Sequence, residues 1–461
     1  MATLSAPARS KAAPYKRWYR LDNAGKLYPA ISTSKWNSVF RITATMKTQI
    51  DPEKLQKAVD RVLPRFPTMT VQMHTGLFWY YLEENPGRLM VQRDKGVICT
   101  PFPWREQHAF LLRILYTPRH ISVEFFHAIT DGTGGMVFLK TLISEYLRLC
   151  GMSIPAEMGV LDLGIKPPSA EAEDAFQRMP LPQSKGRRIS GKAYRFRGKM
   201  KSPNTACIMT FNIPVPVIKE KAKSIGITIT EYLIAAILHI GYKKQMEEHP
   251  RKILPVRVSV PVNMRRFFPT KSLRNCTWFV TPEISAPFEG CTFEEIALKV
   301  QLFMKRALLP ENLFAGIAPN VANEKNLLLR LMPLPLKDLI IRMVFKVMVS
   351  RAVTTTLTNL GQIEAPAELL SQVDYFDVIM GPSLVPAANC AIVTTGAVMR
   401  LTFTSNHKHP VLPLELERLL MEQGIPIRKE IYQGGKGGKG TLCLPSNEEA
   451  QGQSFCFPLR R

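Results

Sequence analysis

From Ile121 to Leu149 the chain reads ISVEFFHAITDGTGGMVFLKTLISEYLRL, and the period of its apolar positions changes midway. Ile121, Val123 and Phe125 alternate with Ser122, Glu124 and Phe126, the two-residue period of a strand, and His127 falls in register with the first set. Leu139, Leu142, Ile143, Tyr146, Leu147 and Cys150 then recur at steps of three and four, the buried face of a helix. Lys140, Thr141, Ser144, Glu145 and Arg148 fill its other face. Between the two patterns Asp131, Gly132, Thr133, Gly134 and Gly135 cap a helix or tolerate unusual dihedrals, so a sharp strand-to-helix turn is expected. A histidine is thereby placed at a strand end on a rigid unit of strand, turn and helix.

Similar patterns recur along the chain. Asp51-Pro52-Glu53 predicts a helix start, because Asp caps, Pro suits the first helical position and Glu complements the dipole. Leu55, Ala58, Val59, Val62 and Leu63 form its buried face and Pro64 ends it. Thr68–Met73 and Gly76–Leu82 read as a hairpin, and Phe110–Tyr116 pairs with Ile121–Phe126 across a TPRH turn, delivering His127 to the sheet edge. Gly151–Thr205, rich in Pro, Ser, Lys and Arg, breaks the pattern and reads as a crossover. A strand CIMTFNIP follows, then two helices separated by Gly226, the second launched by the capping box Thr228-Ile-Thr-Glu231. Val256–Val262 is an apolar strand running into Asn263-Met264-Arg265-Arg266, and Thr292-Phe-Glu-Glu295 is a second capping box.

Asp338–Arg351 is helical, with a narrow polar stripe of Asp338, Arg342, Lys346 and Ser350 and apolar residues elsewhere. Burial on most sides, as a core or lobe-interface helix, is expected; a helix lying in a membrane interface is the alternative, because the charges are mainly basic. Ala391–Phe403 gives a hairpin around Gly396, and Pro413–Gln423 a helix capped by Gly424. The chain therefore divides into an N-terminal lobe (1–155), a crossover linker (156–205), a C-terminal lobe (206–433) and a glycine- and lysine-rich tail expected to be flexible (434–461).

Composition narrows the class. With 461 residues and 46% apolar content the chain can bury a large core in a two-lobed α/β arrangement. Neither a signal-peptide core nor an uninterrupted transmembrane window is present, so a cytoplasmic address is expected, with peripheral membrane attachment as a variant. The eight cysteines are scattered without a CxxC pair, which argues against a zinc ribbon or a disulfide framework, and no metal is expected. The net charge of +24 implies attraction to something anionic, and without a nucleic-acid-binding motif nucleic acid is not the partner expected.

The candidate chemistry centres on His127. A neutral imidazole can take a proton from an alcohol or amine near neutral pH and later return it to a leaving group. Asp131 reads as a structural anchor, paired with an arginine or with backbone NH groups, and Gly132 lets backbone or substrate pass close by. Arg265 or Arg266, at a strand end, is the partner expected for Asp131; both stay open. Thr354-Thr-Thr-Leu-Thr-Asn-Leu-Gly361 is the second candidate: Thr356 and Thr358 suit a strand facing a polar channel, and Asn359 with Gly361 suits an oxyanion-binding turn. An ordinary strand ending in an Asn-Gly turn fits the same residues.

His127-Ala-Ile-Thr-Asp131-Gly132 resembles the HxxxDG motif of the CoA-dependent acyltransferase superfamily, which includes chloramphenicol acetyltransferases, peptide-synthetase condensation domains and alcohol acetyltransferases. The wider match is similar to the alcohol acetyltransferase-like branch, through WYRLDNAGKLYPA (Trp18–Ala30), RFPTMTVQM (Arg65–Met73), FWYYLEEN (Phe78–Asn85), VPVNMRRFFPTKSLRN (Val260–Asn275) and TTTLTNLG (Thr354–Gly361). The resemblance implies a chloramphenicol-acetyltransferase-like pseudo-dimer of mixed sheets and flanking helices, with a tunnel between two lobes. It also implies transfer of an acyl group, expected to be acetyl, from acyl-CoA to a small alcohol or amine acceptor, with His127 as general base and no permanently bound cofactor. A condensation-type reaction with an acidic acyl carrier protein as donor, and a non-catalytic binding or membrane-associated scaffold of the same fold, with an anionic membrane surface as a further partner, remain the alternatives.

Overall fold

The computed structural model describes residues 17–33, 37–183, 191–199, 206–248, 253–285, 292–349, 351–381, 388–433 and 441–443. Much of the basic run Lys185–Lys201 and nearly all of the tail lie outside the described residues.

The first half opens with β1 (Trp18–Arg20), α1 (Leu27–Ile31) and β2 (Val39–Met46). Helix α2 (Pro52–Val62) starts where its sequence signal falls: Asp51 is extended, and its Oδ1 accepts from the backbone NH groups of Glu53 at 2.9 Å and Lys54 at 3.2 Å. β3 (Val71–Thr75) and β4 (Tyr80–Glu84) form the expected hairpin. After the short β5 (Gln92–Arg93), β6 (Leu112–Tyr116) pairs antiparallel with β7 (His120–Phe126), which leads through residues 127–131 into α3 (Gly132–Leu149).

In the second half β8 (Cys207–Pro214) is followed by α4 (Val215–Ser224) and α5 (Ile229–Glu248). Gly226, at φ +72°, occupies the left-handed region between them. The capping box closes as expected, with Glu231 N donating to Thr228 Oγ1 at 3.2 Å and Thr228 N donating to Glu231 Oε2 at 2.8 Å. β9 (Val256–Asn263), β10 (Thr277–Val280) and β11 (Glu283–Ile284) come next, then α6 (Phe293–Ala307), capped reciprocally by Thr292 and Glu295. α7 (Pro310–Lys325), α8 (Leu327–Leu331) and α9 (Leu334–Val344) follow, α9 running on as a π-turn over Phe345–Val349. The described chain ends with β12 (Thr355–Gln362), α10 (Ala367–Gln372), β13 (Val373–Met380), β14 (Asn389–Thr395), β15 (Val398–Ser405), α11 (Val411–Glu422), β16 (Arg428–Gln433) and β17 (Thr441–Cys443).

Two larger sheets carry the architecture. One has five strands in the order β13-β2-β7-β6-β5, the other nine in the order β10-β9-β12-β14-β15-β8-β16-β17 with β11 on β9. Both are mixed: in the first β5 runs parallel to β6 while β6 and β7 are antiparallel, and in the second β12 runs parallel to β9 and β14 while β8, β14 and β15 are antiparallel. A separate hydrophobic core accompanies each sheet: Phe125, Phe138 and Leu142 lie in the first, Phe211, Leu233 and Phe403 in the second. The crossover segment runs from Val160, in the first core, to Phe176, Tyr194 and Phe196 in the second.

Four expectations need correction. Strand β7 is third of five, so His127 lies past the end of a central strand and not at a lateral edge. β13, within the segment assigned to the C-terminal lobe, pairs antiparallel with β2 and completes the first sheet; alternation along VDYFDVIM identifies a strand but not the sheet it joins. The polar face of α3 is buried too, because residues 157–164 and Glu364 cover it: Lys140 Nζ donates to the carbonyls of Met158 and Glu364, the latter at 2.7 Å. Thr441–Cys443, set aside as flexible tail, pairs with Ile431–Gln433. Helix α9 departs from expectation most and is taken up below.

Candidate active site

Three chain segments converge past the end of β7. The backbone NH of His127 donates to Ser38 O at 2.9 Å, so the ring leaves the sheet from a fixed point. Its Nδ1 is 3.0 Å from Asn275 Oδ1. The amide end of Asn275 faces acceptors, His127 O at 3.0 Å and Asp22 Oδ2 at 3.2 Å, so Oδ1 is the group turned to the imidazole. Nδ1 therefore carries the proton and the lone pair resides on Nε2, which has no hydrogen-bond partner among the described residues. Tyr28, in α1, stacks on the ring with centroids 4.5 Å apart, and Phe40 meets it edge-on at 5.0 Å. Burial lowers the histidine pKa below its usual 6.5, opposed by the negative charge of Asp131, and keeps the imidazole neutral at pH 7.

Asp131 points elsewhere. It is extended, caps α3 by accepting from Gly134 N at 3.0 Å, and is 2% exposed. Its other oxygen accepts from Arg265 Nη1 at 2.8 Å, Cys276 N at 2.8 Å and Thr277 Oγ1 at 3.1 Å. Burial raises the carboxyl pKa, but the guanidinium and these hydrogen bonds outweigh it and hold the group below its ordinary range. Of the two candidate arginines it is Arg265 that pairs, its remaining donors held by Ser272 O at 2.9 Å, Arg274 O at 2.5 Å and Asn263 Oδ1 at 3.3 Å; Arg266 is exposed.

The glycines of the turn differ in why they are needed. A Cβ on Gly132 would come within 2.9 Å of Leu360 Cδ2, which brings the end of β12 against the first turn of α3. A Cβ on Gly134 would lie 2.2 Å from Leu273 O and 2.3 Å from Thr130 Oγ1, a space only glycine can occupy.

Along β12, Leu357 is buried in the second core, so Thr356 and Thr358 lie on the opposite, half-buried face together with Leu360. Asn359 uses its Oδ1 to accept from Gly361 N at 2.7 Å and donates from Nδ2 to Thr230 Oγ1 at 2.9 Å; Gly361 sits at φ +78°. The pattern is that of an Asx turn fastened to α5. Residues Tyr28, Asp22 and Asn275 were not singled out by the sequence as site residues. Each lies in a stretch that carries the resemblance, but no spacing rule links position 28 or 275 to 127.

No family model matches the chain, and no curated protein matches it. Solved structures do. The chain is similar to polyketide synthase associated protein 5 from Mycobacterium tuberculosis, with a TM-score of 0.59 and 14% identity over 87% of this chain and 96% of that one. It is similar to F. graminearum TRI101, solved with coenzyme A and deoxynivalenol, with a TM-score of 0.61 and 10% identity over 90% of this chain and 100% of that one. It is also similar to the first condensation domain of the CDA synthetase, with a TM-score of 0.56 and 14% identity over 94% of this chain and 100% of that one. The fold is thus the two-lobed, chloramphenicol-acetyltransferase-like α/β fold of the condensation-domain and TRI101 structures.

Proposed function

We propose that this protein transfers an acyl group from acyl-CoA to the hydroxyl or amino group of a small acceptor, with His127 as general base. The observation that carries the reading is the fixed tautomer: Nδ1–H is held by Asn275 and Nε2 is left as an open base at the end of β7. An acceptor O–H or N–H placed against Nε2 gives up its proton as the heteroatom attacks the thioester carbonyl. Collapse of the tetrahedral intermediate breaks the C–S bond, and the imidazolium returns the proton to the departing thiolate. No acyl-enzyme intermediate is needed.

Asp131 and Arg265 act in this reading as structural supports, and Gly132 lets Leu360 at the end of β12 pass close to the first turn of α3. Thr356 and Thr358, on the half-buried face of β12, are candidates for contact with the thioester or its oxyanion, while Asn359 and Gly361, whose donors are engaged in the Asx turn, shape the end of that strand. The first choice of acyl group is acetyl. The fold is also that of condensation domains, so a carrier-protein thioester is the second donor to try.

Thiol release from acetyl-CoA and longer acyl-CoAs, measured with a panel of alcohols and amines, tests this. Acceptor-dependent release that falls by about 10²–10⁴-fold in a folded His127→Ala variant is expected. Wild-type inactivity toward every CoA donor, with activity on a carrier-protein thioester, would move the reading to the second donor; inactivity toward both would overturn acyl transfer.

A further inference from the structure

Helix α9 is built inside out. Apart from Leu334, buried at its first turn, it is polar residues that face the protein and fasten it down. Lys337 and Asp338 are buried. Lys337 Nζ donates to Phe78 O at 2.9 Å and lies 3.3 Å from the centroid of Trp79, Tyr80 Oη donates to Asp338 Oδ2 at 2.5 Å, and Arg342 Nε donates to Ala30 O at 2.6 Å. Apolar residues point outward, Leu339 and Met343 of the helix expected to be buried among them. Leu336, Leu339 and Met343 are 48%, 61% and 64% exposed, and on the adjoining α8 Leu327, Leu328 and Leu331 are 65%, 80% and 58% exposed. Single exposed leucines are ordinary, but a run of them on neighbouring helices marks an interaction face.

Charge and length say what covers it. Between Lys325 and Arg351 the sole acidic residue is Asp338, which is buried, whereas Lys325, Arg330 and Lys346 are exposed beside the leucines. Leucines flanked by basic residues, with no exposed acid among them, match an anionic lipid surface, where acyl chains meet the leucines and headgroups meet the lysines and arginines. A second copy of a chain with net charge +24 would instead bring like charges together. α9 is too short to cross by itself: it has 11 residues, about 16 Å, against about 20 residues for a crossing.

We propose that α8 and α9 dock this protein on the surface of an anionic bilayer. The docking face lies close to the candidate site, since α1 supplies both Ala30, held by Arg342, and Tyr28, stacked on His127. The proposal stands whether or not the site transfers acyl groups.

Sedimentation of the full chain with phosphatidylcholine vesicles, with and without phosphatidylglycerol, tests it. Binding to the anionic vesicles at least about tenfold tighter than to the neutral ones is expected, with a further loss of about fivefold for each of Lys325→Gln and Arg330→Gln. Leu339→Glu combined with Met343→Glu, and separately Leu327→Ser combined with Leu328→Ser, should abolish binding while leaving thermal unfolding unchanged, because these side chains are exposed. Three results would overturn the proposal: no vesicle binding by the wild type, equal binding to neutral vesicles, or undiminished binding by both folded double variants. Self-association of the wild type that these substitutions remove, without vesicle binding, would assign the face to a second copy instead.

Discussion

Asp131 and Arg265 meet at 2.8 Å although 134 residues separate them in sequence, and the contact ties the first turn of α3 to the end of β9. Both are largely buried, so removing one leaves the other's charge unpaired in the interior. Arg265→Ala is expected to cost about 3–5 kcal/mol in denaturant unfolding, and Arg266→Ala less than about 0.5 kcal/mol. Exchanging the two residues should not rescue folding, because Asp131 also caps α3 and accepts from Cys276 N. The sign with pH follows from the depressed carboxyl pKa: the contribution is complete above the unfolded value near 3.8 and declines as pH falls through the lower folded value.

Asn275 should act on rate through the tautomer of His127. Losing the Nδ1 hydrogen bond in Asn275→Leu should lower kcat about 10–100-fold with little change in KM. Since the proposed reaction requires the neutral ring and burial lowers its pKa, the acid limb of kcat/KM in the wild type should have its midpoint below 6.5. Asn275→Asp would set a carboxylate beside Nδ1 and move that limb upward, a shift that a merely structural role for position 275 would not produce.

Within the turn, the glycine of the motif is not the one that folding needs most. Gly134→Ala forces a methyl into Leu273 O and Thr130 Oγ1 and should prevent soluble expression or destabilise by more than about 3 kcal/mol. Gly132→Ala meets only the end of the Leu360 side chain, which can turn away, so it should fold and show its effect in KM or kcat. Thermal unfolding of the two variants separates these outcomes.

Lys140 offers a pH test of a buried amine. Burial lowers its pKa to about 8 from 10.5, so below pH 8 the folded protein bears the full penalty of keeping it charged. As pH rises from 8 towards 10.5 the folded state releases that proton before the unfolded chain does, and the penalty is relieved. The stability difference between wild type and Lys140→Met should move in favour of wild type across that window, read as urea midpoints at each pH.

Local signals in the sequence carried most of the elements. Asp51 with Pro52, Thr228 with Glu231 and Thr292 with Glu295 announce helix starts through hydrogen bonds made within four residues, and the structure contains each of them. His127 and Asp131 were legible for a similar reason, since strand, turn and cap are adjacent. What could not be read depends on distant pairing. Asn275 reaches His127 across 148 residues, and the choice between Arg265 and Arg266 turns on which one the short turn after β9 directs inward. Helix α9 misled for a different reason. Periodicity separates an apolar face from a polar one, and the assumption that the apolar face is the buried one fails when Lys337, Asp338 and Arg342 find carbonyl and hydroxyl partners on the protein.

The pairing of β13 with β2 bears on how the chain is made. Seven residue pairs join Phe40–Met46 to Val373–Met380, so the sheet that positions His127 is one strand short until residue 380 has left the ribosome. Until then β2 presents an open edge to solvent, a template for pairing with any other nascent chain. The first half of the sequence is thus obliged to wait for the second, and a fragment ending near residue 155 should aggregate at that edge instead of folding as an independent lobe.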